Sequence, residues 1–460
     1  MERSKVIIIG AGPAGIAAAL RLVQTHGCSV TILERGLDLP DRVAARQQRA
    51  EARGGASVNL EGFGGAGAFS DGKLTLTPQV GGHLAQLLGD ERAGQLISQS
   101  DEMWLRFGAP EKLYGADEDV FARLAHRATR YGLKLVSVPL RHVGTDNCPA
   151  VLGAMRDSLA TACEIRPMTP VEQILTHEGA VTGVGLSDGT ILPADFVVAA
   201  PGRSGQPWFH EQARKLELQA QNSPVDLGVR VEVPAPILDE LTEQLYEFKL
   251  LYWSPTFDNL VRTFCVCPGG EVVTERLGDV VTVNGHSYAN RKTDNTNFAI
   301  LVSSTFTEPF REPVLYGEYI ARLANLLGDG VLVQRLVDLK AGRRSTTHRL
   351  EHCILSPTLK TAAPGDLSYV LPYRHLQTIL EMIAAIDQLA PGAGGSATLL
   401  YGVEVKLYSA RVSVTDELET SVKNLFACGD GAGITRGLVQ ASASGLAAGQ
   451  AIAARIQEGV

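Results

Sequence analysis

The sequence predicts an α/β protein: a Rossmann-type parallel-sheet domain, with a β-meander, split by an inserted α+β domain with a mixed or antiparallel sheet. Three observations carry this reading. The chain opens on an apolar strand, Val6–Ile9, that runs into Gly10-Ala11-Gly12-Pro13-Ala14-Gly15. It closes on a second apolar strand, Asn424–Cys428, followed by Gly429-Asp430-Gly431 and a small-residue helix from about Leu438 to Ile456. Between them, residues 226–305 break into short apolar strands, as in Leu227–Val233, Val261–Val266 and Phe298–Val302. At 460 residues the chain is too long for one simple core.

The N-terminal arm is the most specific element. An apolar strand, a G-x-G-x-x-G turn, a helix, the strand Ser29–Leu33 and the acid Glu34 follow in the order that dinucleotide binding requires. Gly10 permits the tight turn, Gly12 lets backbone approach a pyrophosphate, and Gly15 lets helix and strand pack closely. Pro13 suits a first helical position, because the N–H it lacks has no partner there. The helix N-terminus presents free N–H groups and partial positive charge to phosphate. Glu34 is placed to accept both hydroxyls of an adenosine ribose, with Arg35 beside it.

The remaining elements follow in order. Residues 54–73 are too glycine-rich for a regular helix or central strand. Residues 82–135 show helical apolar spacing through Leu84-Leu87-Leu88, Met103-Trp104-Phe107 and Val120-Leu124. A helix from Ala150 leads to Glu164-Ile165-Arg166. Strands are expected at Pro170–Thr176, Val181–Leu186 and Phe196–Ala199, with Asp188-Gly189 as a hairpin turn between the last two. Helices are expected near 314–328 and 375–390. The split domain is read as 1–80, 146–222 and 395–460, with a helical segment over 81–145 and the inserted domain over 223–394.

Composition narrows the function classes. With 45% hydrophobic and 20% charged residues this is an ordinary globular chain. A net charge of −8 disfavours nucleic acid or an anionic membrane as partner. No run approaches the length of a spanning helix, and no signal peptide is read, so a cytoplasmic location is expected. Seven scattered cysteines do not form a secreted disulfide framework.

Leu425-Phe426-Ala427-Cys428-Gly429-Asp430 resembles the second FAD motif of glutathione-reductase-like flavoproteins. The resemblance implies that Asp430 meets the ribityl chain, and that backbone N–H groups of Gly437-Leu438-Val439 face the flavin pyrimidine. Val197–Arg203 resembles the middle motif of that fold, with Pro201 where threonine is usual; Ala200 and Gly202 fall in it. Val171 resembles the position whose backbone meets adenine. Four further stretches resemble a widespread family of uncharacterised FAD-dependent dehydrogenases: Gly62–Leu74, Cys265–Gly270, Tyr401–Lys406 and Gly429–Ser442. Membership implies non-covalent FAD and a mixed-sheet substrate domain. No second G-x-G-x-x-G arm is found, which argues against a built-in NAD(P)H domain and leaves NAD(P)H as a candidate transient reductant.

The Gly62–Lys73 loop is the active-site candidate. Gly65, Ala66 and Gly67 would let backbone pass flat against a cofactor, and Ser70, Asp71 and Lys73 add polar atoms. Lys73 and Ser70 are the catalytic candidates, Lys73 as a cation near a reduced flavin. The alternative is that the loop wraps the pyrophosphate and Lys73 is ion-paired. Cys265 and Cys267, at i and i+2 of a strand, would share a face. They lack the C-x-x-C spacing of dithiol sites, and packing is the favoured role. Arg343-Arg344 could clamp a substrate carboxylate, and Arg141-His142 is a similar pair. His348 and His352 lack the H-E-x-x-H pattern and are read as surface or core residues; no metal set is found. The expected function is FAD-dependent oxidation or reduction of a small organic molecule by hydride transfer at flavin N5. A monooxygenase using NAD(P)H and oxygen is the alternative enzyme, although Ala200-Pro201-Gly202-Arg203-Ser204 replaces its usual Asp-Gly-x-x-Ser. An RNA-modifying or assembly flavoprotein is the alternative of another class.

Overall fold

The computed structural model describes residues 3–51, 60–221, 224–277, 279–306, 312–406 and 411–459. Part of the glycine-rich stretch, residues 54–59, lies outside them. The chain divides into two compact units, one of Met1–Lys112, Arg141–Ser223 and Ser409–Val460, the other of Leu113–Leu140 and Pro224–Tyr408.

The first unit is built on five parallel strands in the order Leu425–Ala427, Phe196–Ala199, Ser4–Ile9, Cys28–Leu33, Glu164–Arg166. The central strand is almost wholly apolar, and Val6, Ile7, Ile8 and Ile9 are all buried, as a strand covered on both faces must be. Helix Pro13–Leu22 follows it and packs against Leu438–Glu458. Both helices are rich in alanine and glycine for a steric reason. A Cβ at Gly445 would sit 1.9 Å from the Ala14 carbonyl oxygen, so backbone meets backbone there. The buried Trp104 indole N–H donates to Ser442 Oγ at 3.1 Å, joining the Asp90–Arg106 helix to the same face. A separate antiparallel meander, Val171–His177, Ala180–Leu186 and Ile191–Pro193, completes the unit's main sheets.

The second unit is organised by an eight-stranded sheet. Its order is Ala363–Pro364, Leu332–Arg335, Leu399–Lys406, Val225–Pro234, Asn295–Ser304, Leu260–Cys267, Lys249–Trp253, Lys134–Val136. All pairings are antiparallel except that of Leu332–Arg335 with Ala363–Pro364. Helices Pro313–Gly328 and Tyr373–Leu389 lie where helical periodicity predicts them.

Four local expectations are corrected. The Asp188-Gly189 turn joins Ala180–Leu186 to the short strand Ile191–Pro193; Phe196–Ala199 instead enters the parallel sheet, because its fully buried residues need cover on both faces. The 82–135 stretch is not helical throughout: it holds three helices, of which Glu118–Thr129 lies in the second unit with the edge strand Lys134–Val136. Strand Leu399–Lys406 belongs to the eight-stranded sheet, although a boundary at 395 was expected to place it with the split domain. Finally, Cys265 and Cys267 do not lie on a regular ladder, so simple i, i+2 alternation does not set their faces. A bulge between Phe264 and Cys267 inserts an extra residue, and Cys265 takes φ +38°.

Candidate functional site

The first unit gathers most of the predicted positions around the Gly10–Gly15 turn. A Cβ at Gly10 would lie 2.2 Å from the Ala200 carbonyl oxygen, and one at Gly15 would lie 2.0 Å from that of Gly10. A Cβ at Gly12 would meet nothing within 4 Å. Gly10 and Gly15 are therefore glycine for packing, and Gly12 faces open space. Helix Pro13–Leu22 has no side-chain cap, and its first internal bond is from the Ile16 N–H to the Gly12 carbonyl. The N–H groups of Ala14 and Gly15 thus lack an intrahelical acceptor, which makes the turn a site for an anion.

Glu34 stands at the end of the neighbouring strand, 7% exposed. Its Oε2 accepts the Ala11 N–H at 2.9 Å, and its Oε1 accepts those of Gly36 at 2.9 Å and Gly62 at 3.1 Å. Three backbone donors thus fix the carboxylate beside the turn and tie it to the glycine-rich loop. Arg35 points elsewhere, to Glu61 and the Ser204 carbonyl. Ala200 donates its N–H to Ile9, Gly202 takes φ +63° with open space where a Cβ would be, and Val171 starts the meander opposite Leu186.

The loop is shaped by a residue that sequence reasoning missed. Arg42, fully buried, donates to the carbonyls of Gly62, Phe63 and Gly65, and its guanidinium lies over the Phe69 ring. Burial lowers its pKa to about 10, against the charges of Glu34 and Glu61 that raise it, so it remains a cation at neutral pH. The signal available was an arginine inside a helix close to a run of glycines whose carbonyls need donors. Gly64 donates its N–H to Ala11 at 2.7 Å, and a Cβ at Gly65 would lie 3.2 Å from Gly12 Cα. Residues 62–65 are therefore stitched to the dinucleotide-type turn, with Ala66 and Gly67 continuing into the short 3₁₀ turn Gly65–Phe69.

Ser70 and Lys73 serve the loop first. Ser70 Oγ donates to the Gly67 carbonyl and accepts the Gly72 N–H. Lys73 Nζ is 3.0 Å from Asp71 Oδ2, with the lysine side chain 7% exposed. Nearby Cys148 is buried, and burial pushes its thiol up to about 12, leaving it protonated and unreactive.

At the other end of the sheet, the Gly429 N–H donates to Ser444 Oγ at 3.0 Å, and Thr435 donates to Asp430 Oδ1 at 2.8 Å. Burial raises the Asp430 carboxyl above its ordinary value, although Arg203, Thr435 and the Gly437 N–H pull the other way. Helix Leu438–Glu458 begins on Gly437 without a side-chain cap. Gln440 is 2% exposed; its Nε2 donates to the carbonyls of Thr75 and Thr77, and its Oε1 is buried with no partner. A Cβ on Gly437 would lie 2.6 Å from that oxygen. The turn Gly437-Leu438-Val439 therefore sits against an unsatisfied acceptor.

The other candidates are structural in their immediate bonding. In the second unit, Arg343 Nε donates to Asp338 Oδ1 at 2.8 Å, while Arg344 is exposed and its carbonyl accepts from Arg349. In the first, Arg141 holds Asp101 through two nitrogens, and His142 is 8% exposed. His348 and His352 are exposed and contact each other at 3.2 Å. Cys267 is buried and lies 3.5 Å from the Cys265 carbonyl, which also accepts from Arg230.

Residues 224–407 match the family model described as FAD-dependent protein, C-terminal domain-like, and residues 8–52 match that of the NAD(P)-binding Rossmann-like domain. An uncharacterised protein of Clostridium beijerinckii is 27% identical over 468 residues, covering 96% of this chain and 80% of that protein. Among solved structures, glycine oxidase from Bacillus cereus covers 98% of this chain and 96% of its own at 15% identity and TM-score 0.40. L-proline dehydrogenase from P. horikoshii covers 100% and 94% at 12% identity and TM-score 0.40. The two matches assign residues 224–407 to the family of FAD-dependent proteins described as C-terminal domain-like, and residues 8–52 to a Rossmann-like dinucleotide-binding domain.

Proposed function

We propose that the first unit holds FAD along the Gly10–Gly15 turn, the 62–73 loop and Gly429–Val439, and that the enzyme oxidises or reduces a small organic molecule. The second unit is then the substrate domain. The observation that carries this reading is the open space at Gly12, flanked by the uncapped Ala14 and Gly15 N–H groups and by a Glu34 carboxylate that is already oriented. Bound FAD supplies the redox chemistry, accepting or donating a hydride at N5. The chain supplies position and electrostatics. Ala14 and Gly15 donate to the pyrophosphate, and Glu34 Oε2, with one lone pair used by Ala11, accepts from the ribose. Asp430 accepts from the ribityl chain. Gln440 Oε1 satisfies its missing hydrogen bond from the flavin edge. Lys73, held by Asp71, keeps a cation beside the loop without being free to wander. Dehydrogenase chemistry is favoured over hydroxylation because Ala200-Pro201-Gly202-Arg203-Ser204 departs from the hydroxylase pattern.

Anaerobic bleaching of the flavin by candidate small-molecule donors tests the reading. Substrate-driven bleaching without a nicotinamide supports it. Flavin reduction only by NADPH, with oxygen uptake on adding substrate, replaces it with the monooxygenase. The site is tested by Gly12→Ala, which should leave the fold intact, since a Cβ there has room, yet weaken FAD retention. Unchanged FAD affinity would remove Gly12 from the site.

A further inference from the structure

Helix Pro313–Gly328 is apolar on both sides, with the sizes reversed from the usual arrangement. Its buried residues are the small ones, Gly317, Ala321 and Ala324. Its large ones face outward: Leu315 is 41% exposed, Tyr319 62%, Leu323 37%, Leu326 80% and Leu327 49%. These five are among only twelve exposed large hydrophobics in the described residues, so they form a concentrated patch, not scattered surface apolars. At 100° per residue, Leu315, Tyr319, Leu323 and Leu326 form one stripe opposite the buried glycine and alanines. A surface helix ordinarily turns polar residues outward; a helix apolar all round is one that is covered.

We propose that this stripe is a homodimer interface in which two copies of the helix pack antiparallel about a two-fold axis near Ile320 and Ala321. The spacing is self-complementary under that operation. Leu315 falls opposite Leu326, and Tyr319 of each copy falls within one residue of level with Leu323 of the other, as an isologous interface demands. The charges select the direction. Glu318 and Arg322 lie on the same flank of the stripe, one turn apart. Antiparallel apposition keeps this flank on one side of the interface and brings Glu318 of each copy toward Arg322 of the other, whereas a parallel two-fold sends the two flanks to opposite sides and pairs neither. Arg322 is 47% exposed beside Asp279, so its guanidinium can serve both acids. A lipid surface is the weaker occupant, because the net charge is −8 and the patch is flanked by Glu318 and Asp279 in place of a basic belt.

Light scattering on the FAD-loaded full chain across the micromolar range tests this. The expected mass is twice the 49.1 kDa chain. Leu323→Glu with Leu326→Glu should halve it, while the flavin spectrum stays unchanged because both side chains are exposed on the single chain. Glu318→Arg and Arg322→Glu should each weaken the dimer alone, and mixing the two variants should restore a twofold mass through heterodimers, where both charge pairs are opposite again. A monomeric wild type, a dimer that survives the leucine changes, or failure of mixed variants to pair would overturn the proposal. So would a monomer that sediments with phosphatidylcholine–phosphatidylglycerol vesicles, which would assign the stripe to a membrane surface.

Discussion

Two carboxylates, one in each unit, are buried by opposite means. Glu34 is surrounded by backbone N–H donors from three segments. Glu404, 0% exposed, is held by Arg230 through two nitrogens at 2.7 and 2.9 Å and by Lys406 at 3.0 Å. Arg230 also donates to Asn297 Oδ1 and the Cys265 carbonyl. Backbone donors leave Glu34 part of its accepting capacity, which suits a ligand. Full pairing with two cations consumes that of Glu404, which suits a core. The difference teaches that burial alone does not mark a site; what matters is whether the buried group's bonding is finished.

The contrast is sharpest if Glu404 is broken. Glu404→Gln strands Arg230 in a dry interior, and a loss of about 3–5 kcal/mol is expected from chemical unfolding. A loss below about 1 kcal/mol would mean that the pair is not structural. His375 extends the comparison to a buried base without a counter-charge. Its Nε2 is 3.0 Å from Ser304 Oγ and its Nδ1 has no partner. Burial, helped by the charge of Arg374, lowers its pKa from 6.5 to about 4. Between those values the unfolded chain takes up a proton that the folded chain refuses. Stability should therefore fall as pH drops from 6.5 toward 4, by about 3 kcal/mol in full. His375→Gln should flatten that slope in urea midpoints measured at pH 7 and pH 4.5; an unchanged slope would show that other groups carry it.

Glu34→Ala tests the unfinished partner. Losing an ionised acceptor should weaken FAD binding by about 1.5–3 kcal/mol, roughly tenfold to more than a hundredfold. Fluorescence titration of the stripped protein measures it, and unchanged affinity would show that the carboxylate serves only the loop. The smallest effect is expected at the thiols. Cys265→Ser with Cys267→Ser should cost on the order of 1 kcal/mol of stability and leave flavin reduction largely intact. A folded, FAD-loaded double variant slowed a hundredfold would make them an electron relay.

Much of the first unit was legible because its constraints are local. Gly10, Gly12, Gly15 and Glu34 lie within 25 consecutive residues, and each has a steric or hydrogen-bonding reason to be where it is. The strand Leu425–Ala427 was readable from its apolar run and the Gly-Asp that follows. Arg42 was not, because its partners are carbonyls about twenty residues on, and nothing in a charged helix says which arginine turns inward. The Cys265 bulge was equally hidden, since period-two alternation presumes an unbroken ladder, and only pairing with Asn295–Ser304 shows the extra residue.

By itself the sequence determined the α/β class, the dinucleotide arm and the return of the chain to the parallel sheet at its end, because strand and helix periods and glycine sterics act over short distances. Only the tertiary structure decided which buried charges are finished and which are left open. It also moved Leu399–Lys406 into the eight-stranded sheet and turned the large side chains of Pro313–Gly328 outward. The physical reason is the same in each case: a hydrogen-bond partner or a covering surface is supplied by residues distant in sequence, and local propensity carries no record of them.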